Sequence, residues 1–351
     1  MISRFASHWR RIKPVCTAIC AFAVLSTITL PSALADWREE LGVFRIALIT
    51  GDNEASSRAA LEPFRLVVQE KLRLQTELRT DRELGRLIIN QSDRPVEYVI
   101  LPASAYAATW LRCECIEPLV VARSSDGEEA IRSVLIVRSA SSIKTLAQLG
   151  GKTVFGLSEH SLTGYAIPRK AAGEVAGNVD WQFSDSAEEA LHRFIAGEGD
   201  ALAGWIPAGQ NPGNASRGTL ARLKALATDG QSFSVLWQSE SIPNRVHAVR
   251  KNLDGEAKRL LRELLTGLND NDPITYDQLE PDFSGGFFPA RQSQFSYLID
   301  FLNEREETAL PADGDAGEES TTGEGSAGPQ SEAPQNEADV QGKAGESADE
   351  S

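Results

Sequence analysis

The stretch Ser158-Glu-His-Ser-Leu-Thr-Gly-Tyr-Ala-Ile-Pro168 decides the fold prediction for this chain. An apolar run at 153–157, with the composition of a buried strand, precedes it, and a segment of helical composition at 164–172 overlaps its end. A turn of small hydroxyl residues between a strand and a helix presents unpaired backbone N–H groups at the positive end of the helix dipole. The turn therefore suits an anion, although Ser and Thr before a helix are also ordinary caps.

Strands alternating with helices extend outward from this turn in both directions. The predicted strands are 44–50, 76–80, 98–101, 118–122, 133–137, 181–183, 200–205, 233–237 and 246–250. Segments with apolar residues at helical spacing, such as 59–72, separate many of them. This alternation predicts an α/β fold with mostly parallel sheets and flanking helices. It starts again after about residue 138, which indicates a second lobe.

Candidate binding residues follow from the prediction of parallel sheets, because ligands of such sheets gather beyond the carboxyl ends of the strands. Asp52 and Asn53 come directly after the first predicted strand, and Tyr106 follows the third. Asp and Asn also favour turns, so their position has a structural explanation as well as a functional one. His247 lies within a predicted strand, and we interpret it as a structural residue.

The amino-terminal residues 1–35 have the three parts of a secretory signal peptide. Four basic residues and no acid lie in 1–13, an apolar stretch covers 15–30, and Pro31-Ser-Ala-Leu-Ala35 ends in a small-residue cleavage site. The apolar stretch is shorter than the roughly 20 residues that span a membrane. We therefore predict cleavage after Ala35 and export to the periplasm instead of a membrane anchor.

The carboxyl-terminal residues 308–351 form a separate acidic tail. They carry eleven acids and one lysine with few apolar side chains, a composition that predicts disorder. Without this tail and the four basic residues of the signal segment, the formal charge of −15 becomes −9 for residues 36–307. Such a charge argues against nucleic acid as a partner. It does not exclude a small anion, because oriented backbone dipoles act locally.

The two cysteines outside the signal segment, Cys113 and Cys115, are spaced C-x-C. In an oxidising compartment they form either a small local disulfide or two unreactive thiols. Two thiols without nearby histidines are a poor metal site. The chain has no G-x-S-x-G, H-E-x-x-H or P-loop motif, so we predict neither an enzyme nor a cofactor.

Three segments resemble, in order and spacing, the phosphate/phosphite/phosphonate-binding family of ABC-transporter periplasmic receptors. They are Arg132-Ser-Val-Leu-Ile-Val-Arg138, Ile143-Lys-Thr-Leu-Ala-Gln-Leu-Gly-Gly-Lys-Thr-Val154, and Ser161-Leu-Thr-Gly-Tyr165 with Pro168. The resemblance covers most of residues 43–300. It implies the type II periplasmic-binding-protein architecture, with two crossing hinge strands between two lobes. Lobe one would be 37–125 plus 240–305, and lobe two would be 130–235.

This resemblance also implies a function and a set of ligand contacts. The protein would capture a small oxyanion, or a compound bearing one, between its lobes and deliver it to an ABC permease in the inner membrane. We expect it to be a monomer. The family's anion contacts fall on Tyr106, Ser161, Thr163 and the backbone N–H of Leu162. Among the residues around the cleft, His160, Trp205 and Asn53 complete the candidate set.

The sequence departs from the family's pattern at three positions. Leu162 stands where a middle hydroxyl is usual, Ala187 where a histidine is common, and Trp205 near an aspartate that pairs with aminoalkyl phosphonates. His160 is the candidate replacement for the missing histidine. An aminoethylphosphonate ligand is therefore not expected, because its ammonium group would be buried without a partner.

Two other functions are compatible with the same bilobed fold. One is an enzyme acting on a cofactor precursor. The other is a ligand-sensing subunit that docks on a membrane receptor instead of a permease. Turnover of a bound ligand would favour the first, and a neighbouring gene for a membrane kinase would favour the second.

Overall fold

A computed structural model describes residues 36–50, 53–228 and 230–309, with the side chains of 306–309 excepted. The predicted signal peptide, Asp52 and nearly all of the predicted tail lie outside the described residues. The strands are β1 (Phe44–Ile49), β2 (Thr76–Asp81), β3 (Tyr98–Leu101), β4 (Ile116–Ala122), β5 (Ala130–Arg138), β6 (Thr153–Phe155), β7 (Asp180–Gln182), β8 (Ala201–Pro207), β9 (Phe233–Gln238), β10 (Ile242–Pro243), β11 (Val246–Arg250) and β12 (Phe287–Pro289). The helices are α1 (Trp37–Leu41), α2 (Glu54–Leu72), α3 (Leu84–Asp93), α4 (Ala103–Cys113), α5 (Ile167–Ala176), α6 (Ala187–Ile195), α7 (Thr219–Leu226), α8 (Gly255–Asn271), α9 (Pro273–Leu279) and α10 (Ser296–Ala309).

The first sheet has the strand order β12-β4-β11-β3-β1-β2. Phe44, Ile46 and Leu48 of β1 contribute to the core on one face and Ala47 to the core on the other, as the two-residue period of a strand requires. Helices α2, α8 and α9 cover the first face, and α3, α4 and α10 cover the second. Because both faces are covered, β3 and the second half of β4 appear in the sequence as continuous apolar runs, whereas the edge strand β2 does not.

The second sheet has the order β10-β5-β8-β6-β7, and β9 also pairs with β5. One core cluster on this sheet joins β5 and β8 to α6 and α7, and another joins β5, β6 and β8 to α5. The turn at 158–165 connects β6 to α5, so it lies at the carboxyl end of a strand in this sheet.

The α/β class with two sheets and flanking helices is confirmed, and each sheet also contains antiparallel pairs of strands. Strands β3, β1 and β2 are parallel, as are β8, β6 and β7. Strand β11 runs antiparallel to β3 and β4, and β5 runs antiparallel to β8 and β9. Each of these antiparallel strands is the first long strand after the chain passes from one sheet to the other. Apolar periodicity reports burial and not the direction of a neighbouring strand, so the sequence did not reveal this.

The chain passes from the first sheet to the second between β4 and β5 and returns between β10 and β11. Asn244 on the return passage ties the two crossings together. Its side-chain Nδ2 donates to the carbonyls of Ala122 and Glu128, at 3.0 Å each, and its backbone N–H donates to the carbonyl of Glu129 at 2.8 Å. Because Asn244 is buried, these hydrogen bonds are shielded from competition by water.

Several short elements differ from the predictions. The segment 142–149, whose composition also predicts a short helix, forms only a 3-10 turn, Leu146–Leu149, and a π-helical turn, Leu162–Ala166, precedes α5. Helices α7 and α9 and strands β10 and β12 were not predicted, because two to eight residues show too little of a period. Within the described residues, no helix combines the length and apolarity needed to cross a bilayer.

Candidate functional site

The turn at 158–165 is closed by its own backbone and by two close approaches that require glycine. Leu157 N–H donates to the Gly164 carbonyl at 3.1 Å, and Ala166 N–H donates to the Ser161 carbonyl at 3.0 Å. A Cβ added at Gly164 would lie 2.6 Å from the Leu157 side chain, and one at Gly156 would lie 2.5 Å from the Phe183 ring. The loop is therefore compact, and its hydroxyl residues have fixed positions.

Ser161 and Thr163 are buried in this turn, at 7% and 6% exposure. Ser161 Oγ accepts the Gly164 N–H at 2.9 Å and so caps the turn of helix that follows. The carbonyl of Thr163 accepts the Ser133 hydroxyl at 2.5 Å, which fixes the turn to β5. Capping uses one lone pair of the Ser161 hydroxyl, and a hydroxyl has one hydrogen to donate and two lone pairs to accept. The capping role of the Ser161 hydroxyl is therefore compatible with a second role as a ligand contact.

Tyr106 lies on α4, in the second turn after β3, and is fully buried. Its hydroxyl donates to Gln292 Oε1, and its ring centroid lies 4.4 Å from that of Phe295. Burial raises the pKa of Tyr106 well above its usual value, with a further increase from the charge of Glu117. The hydroxyl therefore keeps its proton at every physiological pH and acts as a neutral donor.

Gln292 is a further candidate residue, which the sequence pattern does not reveal. With its oxygen occupied by Tyr106, its Nε2 is buried and has no hydrogen-bond partner among the described residues. A buried donor without an acceptor is costly, so such a group marks a place where a further acceptor belongs. A lone glutamine in Arg291-Gln-Ser-Gln294 has no spacing or pattern that would single it out.

Thr50 is a second group of this kind, at the carboxyl end of β1. Its Oγ1 is buried and has no hydrogen-bond partner within residues 36–50, 53–228 and 230–309. The register that aligns Ile46 with Tyr98 places Thr50 level with Pro102, just before α4. Thr50 and α4, which carries Tyr106, therefore share one edge of the first sheet. The sequence also points to this edge of the sheet, but the candidate ligand contacts it suggests there are Asp52 and Asn53.

The turn and the tyrosine meet in one apolar cluster that spans both sheets. This cluster contains Tyr106, Phe295 and Leu298 from the first sheet's side and Ile167 from α5. Leu162 packs against it from the turn. Leu162, which stands where the resemblance places a hydroxyl residue, thus makes an apolar contact with the cluster on the first sheet's side. Ser161 and Thr163, on either side of Leu162, lie next to this contact.

Three other candidates lie elsewhere or have structural partners. His160 is exposed, and so is Asn53, whose Oδ1 caps α2 by accepting the Ser56 N–H at 3.1 Å. Trp205 is half-buried on β8, and the Arg217 guanidinium lies 5.3 Å from its ring centroid. Asn53 therefore has the role of an ordinary cap in this structure.

Arg217, next to Trp205, is paired with Asp126 on the first crossing between the sheets. Their Nε and Oδ2 atoms lie 2.7 Å apart. Partial burial raises the pKa of Asp126, but hydrogen bonds from Arg217, the Glu128 backbone N–H and Ser216, together with the charge of Arg217, outweigh it, so the pKa of Asp126 falls below its usual value. An indole with the Arg217–Asp126 ion pair beside it therefore lies near the position where the resemblance places a carboxylate.

His247 is a core residue, as the sequence indicated. It is fully buried on β11 between the Tyr98 hydroxyl, which contacts its Nδ1, and Glu280 Oε1, which lies 2.7 Å from its Nε2. Cys113 and Cys115 are joined by a disulfide, which is the first of the two alternatives considered. Among the described residues, no group of three or more His, Cys, Asp or Glu side chains is suited to a metal ion.

Comparison with known proteins gives a family match and a set of similar folds. The sequence profile of the family described as "ABC transporter, phosphonate, periplasmic substrate-binding protein" matches residues 46–295. XAC2383 from Xanthomonas citri bound to chloride ion is 19% identical with a TM-score of 0.53, over 77% of this chain and 100% of that chain. The same protein bound to ATP is 18% identical with a TM-score of 0.53, over the same shares. PhnD1 from Prochlorococcus marinus in complex with methylphosphonate is 15% identical with a TM-score of 0.47, over 76% of this chain and 99% of that chain. The Xanthomonas structures show a shared fold.

Proposed function

The chain belongs to the periplasmic substrate-binding proteins of phosphonate ABC transporters, and from this premise we propose that it holds a small oxyanion, or a compound bearing one, at the turn 158–165. The ligand class is phosphate, phosphite or phosphonate. The residues proposed to contact it are Ser161, Thr163, the backbone N–H of Leu162, and Tyr106.

Membership of this family confirms the resemblance drawn from residues 132–168 and the receptor function that it implied. The family consists of substrate-binding proteins, so the protein is a receptor and not an enzyme. It works in the periplasm, binds a small anionic ligand and delivers it to a permease.

One observation supports the position of the site more than any other. Leu162 packs against the cluster that contains Tyr106, so the turn of the second sheet and the tyrosine of the first meet in the folded chain. A ligand held by both would bridge the two sheets. The Nε2 of Gln292, which has no hydrogen-bond partner among the described residues, adds a donor beside the Tyr106 hydroxyl.

The proposed mechanism uses neutral donors. The Tyr106 hydroxyl, the Gln292 amide and the turn's hydroxyl and N–H groups would donate hydrogen bonds to the anion's oxygens, and the helix dipole of α5 would favour its charge. Hydrogen bonds to an ionised acceptor are about twice as strong as neutral ones. The site would exclude water because Tyr106, Ser161 and Thr163 are all buried.

The absence of an acid at Trp205 restricts the ligand. Arg217 lies beside that indole and is ion-paired with Asp126, so the charge of the Asp126 carboxylate is already balanced. A ligand with an ammonium group would leave that charge buried without a partner at a cost of several kcal/mol. We therefore favour inorganic oxyanions and alkylphosphonates over aminoalkylphosphonates.

The finer organisation is part of the same proposal. Lobe one would comprise 37–125 plus 240–305 and lobe two 130–235, closing around the ligand by rotation at the crossings that Asn244 ties together. Residues 1–35 would be removed on export, residues 308–351 would act as a solubilising tail, and the protein would work as a monomer. His160, Trp205 and Asn53 would have secondary positions around the site.

A thermal-shift screen of the protein purified from the periplasm tests the ligand class. The ligands are phosphate, phosphite, methylphosphonate, aminoethylphosphonate, sulfate and succinate. We expect the unfolding midpoint to rise with the concentration of phosphate, phosphite or methylphosphonate, because a ligand of the native state stabilises it. A rise with succinate alone, or with aminoethylphosphonate in preference to methylphosphonate, would contradict the proposed ligand class.

A further inference from the structure

A cavity of about 960 Å³ lies on the side of the first sheet that α3 covers. All of its lining residues fall within 45–115 or 250–252, so no part of the second sheet contributes to it. It extends from Asp81, at the end of β2, to Lys251, just after β11. We call it the basic cavity, after five cations among its lining residues: Arg45, Arg79, Arg94, Arg250 and Lys251.

The charge of this lining contrasts with the charge of the whole chain. The chain carries a formal charge of −15, whereas the basic cavity has five cations against two carboxylates, Asp81 and Glu97. Both carboxylates are already engaged. Asp81 accepts the Asn90 amide at 3.0 Å, and Glu97 accepts the Arg45 backbone N–H at 2.8 Å. The excess of positive charge is therefore not cancelled within the cavity.

Glu97 acts as a fixed anchor for two of the arginines. It is 2% exposed, and its oxygens lie 3.6 Å from Arg45 and 3.3 Å from Arg250. A buried carboxylate between two guanidinium groups holds them at the wall without matching the other three cations. The buried Nε of Arg250 has no hydrogen-bond partner among the described residues. The donors at this end of the cavity thus exceed the acceptors.

Two cations at the mouth have no carboxylate partner in the part of the chain that the structure describes. Arg94 follows α3, and Lys251 follows β11, and both are exposed. They approach the cavity from different segments of the chain. Arg79 also lines the cavity, but its guanidinium is paired with Glu77 at 3.2 Å.

The rest of the lining is uncharged. Ala47, Leu87, Pro95, Val96 and Cys115 are its apolar part, and Thr80, Asn90, Gln91 and Asn252 add neutral polar groups. The volume falls in the range of sites that enclose a small organic molecule and is far larger than a single phosphate needs. Apolar lining together with several cations fits an apolar body that carries more than one anionic group.

We propose that the basic cavity binds a small organic dianion, with two anionic groups on an apolar body, as a second ligand site of this receptor. The fixed Arg45 and Arg250 would hold one group, and Arg79, Arg94 and Lys251 would hold the other. The site is separate from the turn at 158–165 and does not depend on which ligand that turn binds.

Calorimetry with naphthalene-1,5-disulfonate and naphthalene-1-sulfonate tests the proposal on the protein purified from the periplasm. We expect one disulfonate bound per chain, about tenfold more tightly than the monosulfonate, with an affinity that falls as salt rises. Equal affinities for the two compounds would show that only the apolar body is recognised and would overturn the proposal.

Variants locate the binding. Arg94→Gln combined with Lys251→Gln should weaken disulfonate binding about tenfold without affecting folding, because both side chains are exposed and neither has a carboxylate partner among the described residues. The matched control is Arg86→Gln with Arg262→Gln, which makes the same change in charge outside the cavity. Ser161→Ala should leave the disulfonate affinity unchanged. An equal loss in the control pair, or a loss in Ser161→Ala, would overturn the assignment to this cavity.

Discussion

The hydroxyl of Tyr106 donates its hydrogen to the side-chain oxygen of Gln292, a residue 186 positions further along the chain. This bond fixes α4 to the segment just before α10. It also orients the amide so that its nitrogen, a donor, is the end without a hydrogen-bond partner in the part of the chain that the structure describes. A tyrosine predicted from the sequence thereby positions a glutamine that the sequence did not reveal.

Gln292→Leu should lower both stability and oxyanion affinity. The variant leaves the buried Tyr106 hydroxyl without its acceptor, at a cost of about 1–3 kcal/mol in the free energy of unfolding. It also removes the Nε2 donor proposed to contact the ligand. Chemical denaturation measures the first effect and calorimetry with methylphosphonate the second. Ser293→Ala, an exposed neighbour, is the control and should change neither. A Gln292→Leu protein with unchanged affinity would remove Gln292 from the site.

Gly285→Ala should destabilise the protein, because a Cβ there would lie 2.1 Å from the Ser124 carbonyl oxygen on the first crossing. The Gly285 N–H already donates to the Arg123 carbonyl at 2.9 Å, so the backbone has little room to move. We expect a loss of about 1–3 kcal/mol, the usual cost of overpacking.

Gly173→Ala is the matched control for this substitution. No atom lies within 4 Å of a Cβ at Gly173, which is on α5. Alanine there should stabilise the protein by about 0.5–1 kcal/mol. Thermal unfolding of the two variants compares them directly. A Gly285→Ala protein as stable as the parent would show that the crossing is less closely packed than the structure indicates.

Acidification should destabilise the protein partly through His247. Burial lowers the pKa of His247 below its usual 6.5, although its bond to Glu280 acts in the opposite direction. Because the unfolded chain takes up this proton more readily than the folded one, the contribution is present above pH 6.5 and is lost as the pH falls below it. Between pH 7.5 and 5.5 the loss should be about 1 kcal/mol.

His247→Gln isolates that contribution, since glutamine does not titrate. The variant should be less stable at pH 7.5, but its free energy of unfolding should fall less than the parent's on going to pH 5.5. Urea denaturation at the two pH values gives the comparison. Parallel declines in the parent and the variant would mean that the pH dependence comes from other groups.

Much of the fold was predictable because long apolar runs report burial directly. Strand 246–250 was predicted at its observed limits, and 98–101 likewise. The predicted helix at 59–72 begins five residues too late, since Pro63 and the polar first turn of α2 obscure the period. The direction of β11 and β5 was not predictable, because it depends on how the chain crosses between the sheets.

The candidate site was only partly predictable, for a related reason. Ser161 and Thr163 belong to a local pattern of strand, turn and helix that the sequence shows in one piece. Gln292 and Thr50 acquire meaning only when folding brings distant segments to one edge of a sheet and leaves their polar atoms buried without partners. Asn53 illustrates the opposite case, since a polar residue in the predicted place has the role of a cap.

The Ser161 hydroxyl provides the most direct test of the central claim, because Ser186 is a matched control. Each accepts a backbone N–H at the start of its helical segment, at 2.9 Å for Ser161 and 3.1 Å for Ser186. Calorimetry with phosphate and methylphosphonate should show a loss of about tenfold or more in affinity for Ser161→Ala and none for Ser186→Ala, although both lose a cap worth about 1 kcal/mol. Equal affinities in the parent and both variants would contradict the assignment of the oxyanion to the turn at 158–165.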